Sequence, residues 1–145
     1  MLGIIIAIIS GVSMSLQGVF NTRLSDTVGL WETNVIVQAI ALIVTFVVML
    51  LAGDGNLQAV KDANKIYLLG GVLGAVIIYT VMKSISTLGI TYAIGIILVA
   101  QLASAALIDH FGWFSPDGCN AVCGLKEIIG IAIMIAGIVV FKWKS

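Results

Sequence analysis

The chain has 145 residues, of which 61% are hydrophobic and 10% charged, with seven basic side chains balanced by seven acidic ones, and its mean hydropathy is +1.19. A soluble domain of this size cannot bury so much apolar surface, so the composition excludes a water-soluble globule and points to an integral membrane protein. The even charge and the lack of any basic cluster argue against a nucleic-acid partner.

In chain order, five apolar runs cover about residues 2–20, 34–52, 66–84, 88–108 and 125–142. Each is close to the roughly 20 residues that one bilayer crossing requires. The runs are continuous, whereas barrel strands alternate apolar and polar residues, so the spans are helices with every backbone group satisfied internally. The sequence therefore predicts an all-α membrane protein, a single five-helix domain over residues 1–145. The first run lacks a basic n-region and a small-residue cleavage site, and reads as the first span of the mature chain. Between the spans lie TVGLWETN, GDGNLQAVKDANK, KSISTLG and DHFGWFSPDGCNAVCG. Trp31, Tyr67, Trp113, Phe141 and Trp143 sit at the span ends as interfacial aromatics.

Five spans put Lys61, Lys65 and Lys126 on one side and Arg23, Lys83, Lys142 and Lys144 on the other. Three against four is barely a positive-inside bias, and it permits insertion in both orientations. A second copy inserted upside down would recreate the inverted repeat on which many transporters are built, so an antiparallel homodimer is the expected unit. A single-orientation monomer or a parallel dimer is the alternative.

Polar residues inside the spans mark the candidate site. Ser10, Met14, Gln17 and Asn21 recur at helical spacing on the first span, and Asn34, Gln38, Ala41 and Thr45 on the second. With these boundaries Gln17 and Gln38 lie at matched depth, one turn inside Asn21 and Asn34. The four amides line a polar pocket or bind the helices to one another. Gln101, with Ser104 on the same face, stands mid-way along the fourth span. Tyr79 and Tyr92 offer ring faces to an organic cation.

No Asp or Glu lies mid-span. Arg23 and Glu32 flank one connection as a candidate gate, and Asp109 with His110, the single histidine, closes the fourth span as a candidate coupling pair. The alternatives are an ordinary surface ion pair for Arg23 and Glu32 and, as the commoner role of helix-end charges, interfacial anchoring for Asp109 and His110. Gly70-x3-Gly74 and the Gly130/Gly137 pair read as close-packing faces, Gly89 and Gly95 as points where the fourth helix loosens, and the fifth helix as dimerisation or scaffold. Cys119 and Cys123 lack the further ligands a zinc site needs and read as free thiols, with a disulfide as the alternative if that loop faces an oxidising compartment. No nucleophile, base and orienting group come together, so neither an enzyme nor a cofactor or metal is expected.

LQGVFNTRL in the first span, LLGGVLGAVIIY in the third, LGITYAIGIILVAQLASAALIDHFGWF through the fourth and GIAIMIAGIVV in the fifth resemble the YdcZ family of the drug/metabolite transporter superfamily. The resemblance runs along essentially the whole chain, and its most specific part is Ala100 to Gly112. It implies five-helix units paired into a ten-helix transporter, an exporter of the bacterial inner membrane. The expected function is alternating-access export of a small polar or cationic organic metabolite. The alternative is a non-transporting membrane assembly subunit. Expected substrate contacts are Gln17, Asn21, Asn34, Gln38, Gln101, Ser104 and Tyr79; expected gating or coupling residues are Arg23, Glu32, Asp109 and His110.

Overall fold

The structure, a computed structural model, describes residues 1–111 and 125–143, with side chains in the last helix from Ile129 onward. The helices are α1 (Leu2–Val28), α2 (Leu30–Ala52), α3 (Leu69–Leu88), α4 (Ile90–Phe111) and α5 (Leu125–Lys142). Two short 3-10 turns, Leu57–Lys61 and Lys65–Leu68, carry the connection from α2 to α3. Asn56 and Asn64 open these turns by accepting from the backbone N–H of Gln58 at 2.9 Å and of Ile66 at 3.1 Å. Four stretches are long and apolar enough to cross a membrane: Leu2–Val28, Leu30–Ala52, Lys65–Leu88 and Ile90–Phe111, with the shorter apolar Ile129–Lys142 as the fifth. The described residues form helices and no strand, the all-α membrane architecture that the apolar runs predict.

The first and third helices run further than hydropathy alone suggests, and the reason is local. Polar runs such as NTRLSDTV and SISTL look like loops, yet their hydroxyls are satisfied inside the helix. Thr22 donates to Gly18 O at 2.7 Å, Ser25 to Thr22 O at 2.7 Å, Ser84 to Val81 O at 3.0 Å and Thr87 to Lys83 O at 2.9 Å. The connections expected at TVGLWETN and KSISTLG accordingly shrink to single residues, Gly29 and Gly89. Their φ values of 100° and 81° lie in the region that glycine enters freely.

The chain divides into two compact units, Met1–Thr87 and Leu88–Ser145. In the first, burial is confined to one end of the helices: Gly18, Asn21 and Thr22 of α1, Thr33 and Asn34 of α2, Met82 and Ile85 of α3. Gly18 is what lets α1 approach α3. A Cβ there would stand 2.9 Å from Ile85 Cδ1 and 3.3 Å from Val81 Cγ1. In the second unit α4 packs on α5 around buried Ala93, and a Cβ on Gly95 would meet Ile138 Cγ1 at 3.2 Å. Gly95 is thus a packing position, not a loosening one. Gly70, Gly74, Gly130 and Gly137 have no heavy atom within 4 Å of such a Cβ, so the close approaches among the described residues use other glycines than those the small-x3-small pattern selects. Away from these contacts the helices expose Ile4, Ile8, Leu42, Val72 and Ile133, as a lipid-facing surface does.

Candidate substrate site

Gly29 positions the site's densest part. α1 ends there and α2 begins there, so Trp31, Glu32, Thr33 and Asn34 occupy the first turns of α2. Glu32 folds its carboxylate back over the space a Gly29 Cβ would fill, where the positive end of the α2 dipole favours it. Asn34 is 4% exposed, and its Nδ2 donates to Ala75 O at 2.8 Å, joining α2 to α3. One turn toward the α2 start, the Trp31 and Tyr79 rings stack with centroids 4.5 Å apart at 21°. Asn21 and Thr22 are buried at 7% exposure, and Gln38 is half-buried.

Among the residues singled out from sequence, α1 and α2 thus gather Asn21, Asn34 and Gln38, with Tyr79 from α3. Gln17 is exposed. Because both helices run to Gly29, distances along them at about 1.5 Å per residue put Asn21 at about 12 Å and Gln38 at about 13.5 Å from that glycine, against about 18 Å for Gln17 and about 7.5 Å for Asn34. The matched pair in depth is therefore Asn21 with Gln38, not the two glutamines. The expected depth was off by one turn because the connection is one residue long.

Arg23 and Glu32 do not pair with each other in this structure. Arg23 Nη1 lies 4.0 Å from Asp26 Oδ2, an i, i+3 pair with both side chains more than half exposed, while Glu32 turns toward Gly29. Such a pair contributes little to stability. In the second unit Gln101 and Ser104 stand exposed on α4. Tyr92, in the first turn of α4, has its ring face occupied by Lys142 Nζ at 4.0 Å from the centroid. Asp109 and His110 sit exposed in the last turn of α4, the His110 ring edge-on to Phe111 at 5.5 Å. Among the described residues no three His, Cys, Asp or Glu side chains are grouped as a metal site would need. Trp113, Pro116, Cys119, Cys123 and Lys144 lie outside the described residues.

Two buried oxygens complete the picture: Thr33 Oγ1 and Asn34 Oδ1 are shielded from solvent and have no hydrogen-bond partner among the described residues. Sequence reading singled out Asn34 but not Thr33, whose hydroxyl looks like an ordinary helical one. Its adjacency to Asn34 in the Glu-Thr-Asn triplet was the available signal.

A family model described as "Putative inner membrane exporter, YdcZ" matches residues 2–140. The chain belongs to the YdcZ family of inner-membrane exporters. No curated protein and no solved structure matches it. The four membrane-length apolar helices and the shorter fifth fit an exporter of the inner membrane. The family match covers all five helices and assigns a role to no individual residue.

Proposed function

We propose that this chain exports a small polar or cationic organic metabolite across the bacterial inner membrane by alternating access, as an antiparallel homodimer. The observation that carries the proposal is Gln101. It is an exposed amide at the middle of the 22-residue helix α4. An unpaired amide facing hydrocarbon is costly, so a second surface has to meet it. Gln17, Ser10 and Ser104 are exposed in the same way, and the uncovered glycines at 70, 74, 130 and 137 are suited to close approach by another helix. Two copies in opposite orientation supply ten helices and line the path with amides from both. Asn21, Asn34, Gln38 and Tyr79 provide solute contacts in the first unit, and Gln101 and Ser104 in the second. Glu32, Arg23, Asp109 and His110 are the candidates for gating or coupling from the helix ends.

Flux into liposomes holding the purified protein, across a panel of small amines, amides and polyols, tests this reading. At least one solute is expected to move faster than in protein-free liposomes, and Gln101→Leu and Gln17→Leu are expected to abolish that flux while unfolding at the parental temperature. Leu variants with full flux would remove these glutamines from the path. No flux for any solute would leave the chain as a membrane assembly subunit. Dual insertion is checked with Gln58→Cys in a Cys119→Ser, Cys123→Ser background: labelling from both membrane sides is expected, and one-sided labelling sinks the antiparallel dimer.

A further inference from the structure

Thr33, which is buried, behaves unlike four other threonines of the same unit. Thr22, Thr45, Thr80 and Thr87 each donate to the carbonyl four residues earlier, at 2.7, 2.7, 2.8 and 2.9 Å. This is the ordinary way for a hydroxyl to satisfy itself in a helix. Thr33 has the same option, since Gly29 O lies in place and accepts the Thr33 backbone N–H at 3.0 Å. Yet Thr33, at 0% exposure, leaves its hydroxyl oxygen without a partner among the described residues. Beside it, the orientation of Asn34 is fixed by chemistry. Ala75 O can only accept, so the amide nitrogen must face it, and Oδ1 is left as an accept-only atom. That oxygen too is buried and unpartnered. Buried polar oxygens without partners are rare in folded proteins, and each calls for a group that completes it.

The surroundings narrow what that donor is. An anion is disfavoured, because Asn34 Oδ1 has no proton to give it, whereas a group with several N–H donors can serve that oxygen and a lone pair of the Thr33 hydroxyl together. A cation received on an aromatic face is disfavoured as well. Tyr79, on the helix that Asn34 bonds, has one face covered by Trp31. A quaternary ammonium carries no N–H to give. A primary ammonium carries three, with the positive charge that strengthens a hydrogen bond to a neutral oxygen.

We infer that Thr33 and Asn34 form the accepting end of the solute site, and that the solute they take carries a primary ammonium group. The inference rests on the transport reading above for the word solute, but its test does not depend on flux. The full chain in detergent is titrated with propylammonium, propyltrimethylammonium and propionate, and its thermal unfolding midpoint is followed. Propylammonium is expected to raise the midpoint with half-saturation at least about tenfold below that of the trimethyl analogue, and propionate to leave it unchanged. Thr33→Val removes the hydroxyl at nearly constant shape. It is expected to raise the midpoint without any probe, because an unsatisfied buried group is gone, and to weaken propylammonium about tenfold; Thr33→Ser, which keeps the hydroxyl, retains the parental response. Equal binding of the quaternary analogue, no response to any probe, or parental binding by Thr33→Val each overturns the inference. If the discrimination holds in detergent while no solute crosses a liposome membrane, the transport reading fails and this binding site stands.

Discussion

The two units of the chain treat their polar residues in opposite ways. In the first, Asn21, Thr22, Thr33 and Asn34 are buried, as are the apolar Met82 and Ile85. In the second, the corresponding polar residues of α4, Gln101 and Ser104, are left open, and Ala93 is the one fully covered apolar side chain among the described residues there. Both units sit in a membrane where bare amides are expensive. The first unit thus buries part of its polar set, Gln17 and Ser10 staying exposed, and the second leaves its amide open.

The sharpest way to break the comparison is at the joints that open each unit. Gly29 has φ 100° and ψ 159°, a region essentially reserved for glycine, and Glu32 fills the space a Cβ would take. Gly89 has φ 81° but no heavy atom within 4 Å of a Cβ. Gly29→Ala should therefore cost about 3 kcal/mol of folding stability, from backbone strain of about 1–3 kcal/mol with displacement of the Glu32 carboxylate added. Gly89→Ala should cost the strain alone. Unfolding midpoints in detergent read the difference, and equal losses at the two positions would show that Glu32 is not packed where the structure puts it.

Next in size is the approach of α1 to α3. Gly18→Leu places a branched side chain where Ile85 Cδ1 and Val81 Cγ1 already stand, and overpacking of this kind costs about 2 kcal/mol. Gly70→Leu meets open space within the chain. It should leave the midpoint within about 0.5 kcal/mol of the parent. If the Gly70 face is where a second copy docks, the same substitution should lower the dimer fraction in cross-linking. A large loss of monomer stability from Gly70→Leu would place that face inside the chain's own fold.

How far the sequence could be read follows the same division. The count of helices, their membrane character and their approximate centres were legible, because an apolar run of bilayer length leaves one backbone solution. Their ends were not, because hydropathy registers NTRLSDTV as polar and cannot register that Thr22 and Ser25 spend their hydroxyls on the helix's own carbonyls. That misplacement carried into the site. It matched Gln17 with Gln38, where the structure sets Asn21 at the depth of Gln38, and it proposed Arg23 with Glu32, where Arg23 meets Asp26. Asn34 was legible as a buried amide. Thr33 was not, since its distinction is a hydrogen bond it does not make. The pattern of small residues likewise marks faces able to pack and does not say which are used: Gly18 and Gly95 are, within the chain, and Gly70 and Gly130 are not.

A smaller effect is expected from the ring stack that roofs the first unit. Tyr79→Leu keeps most of the apolar bulk and removes the contact with Trp31, which is worth about 1 kcal/mol beyond area burial. Loss of near-ultraviolet circular dichroism should accompany the drop, because the stacked rings hold a fixed geometry. A drop of the same size in the Trp31→Leu variant, with no further loss in the double variant, is the outcome that assigns the energy to the pair.

The smallest effect tests whether the second unit could ever resemble the first. Lys142 in the last turn of α5 caps the ring of Tyr92 in the first turn of α4, tying the two ends of that helix pair together. Exposed contacts of this type are worth about 0.5 kcal/mol, so a Lys142→Met, Tyr92→Leu double-mutant cycle should return a coupling of about that size. Lys142→Met does something more informative than weaken the fold. It uncovers the Tyr92 ring face, and it does so without touching Thr33 or Asn34. Affinity for propyltrimethylammonium should then rise by about twofold, in line with a ring contact of about 0.5 kcal/mol, while that for propylammonium stays where the first unit sets it. If instead both probes strengthen together, ammonium selection does not reside in the Thr33 and Asn34 oxygens, and the contrast between the units is one of packing alone.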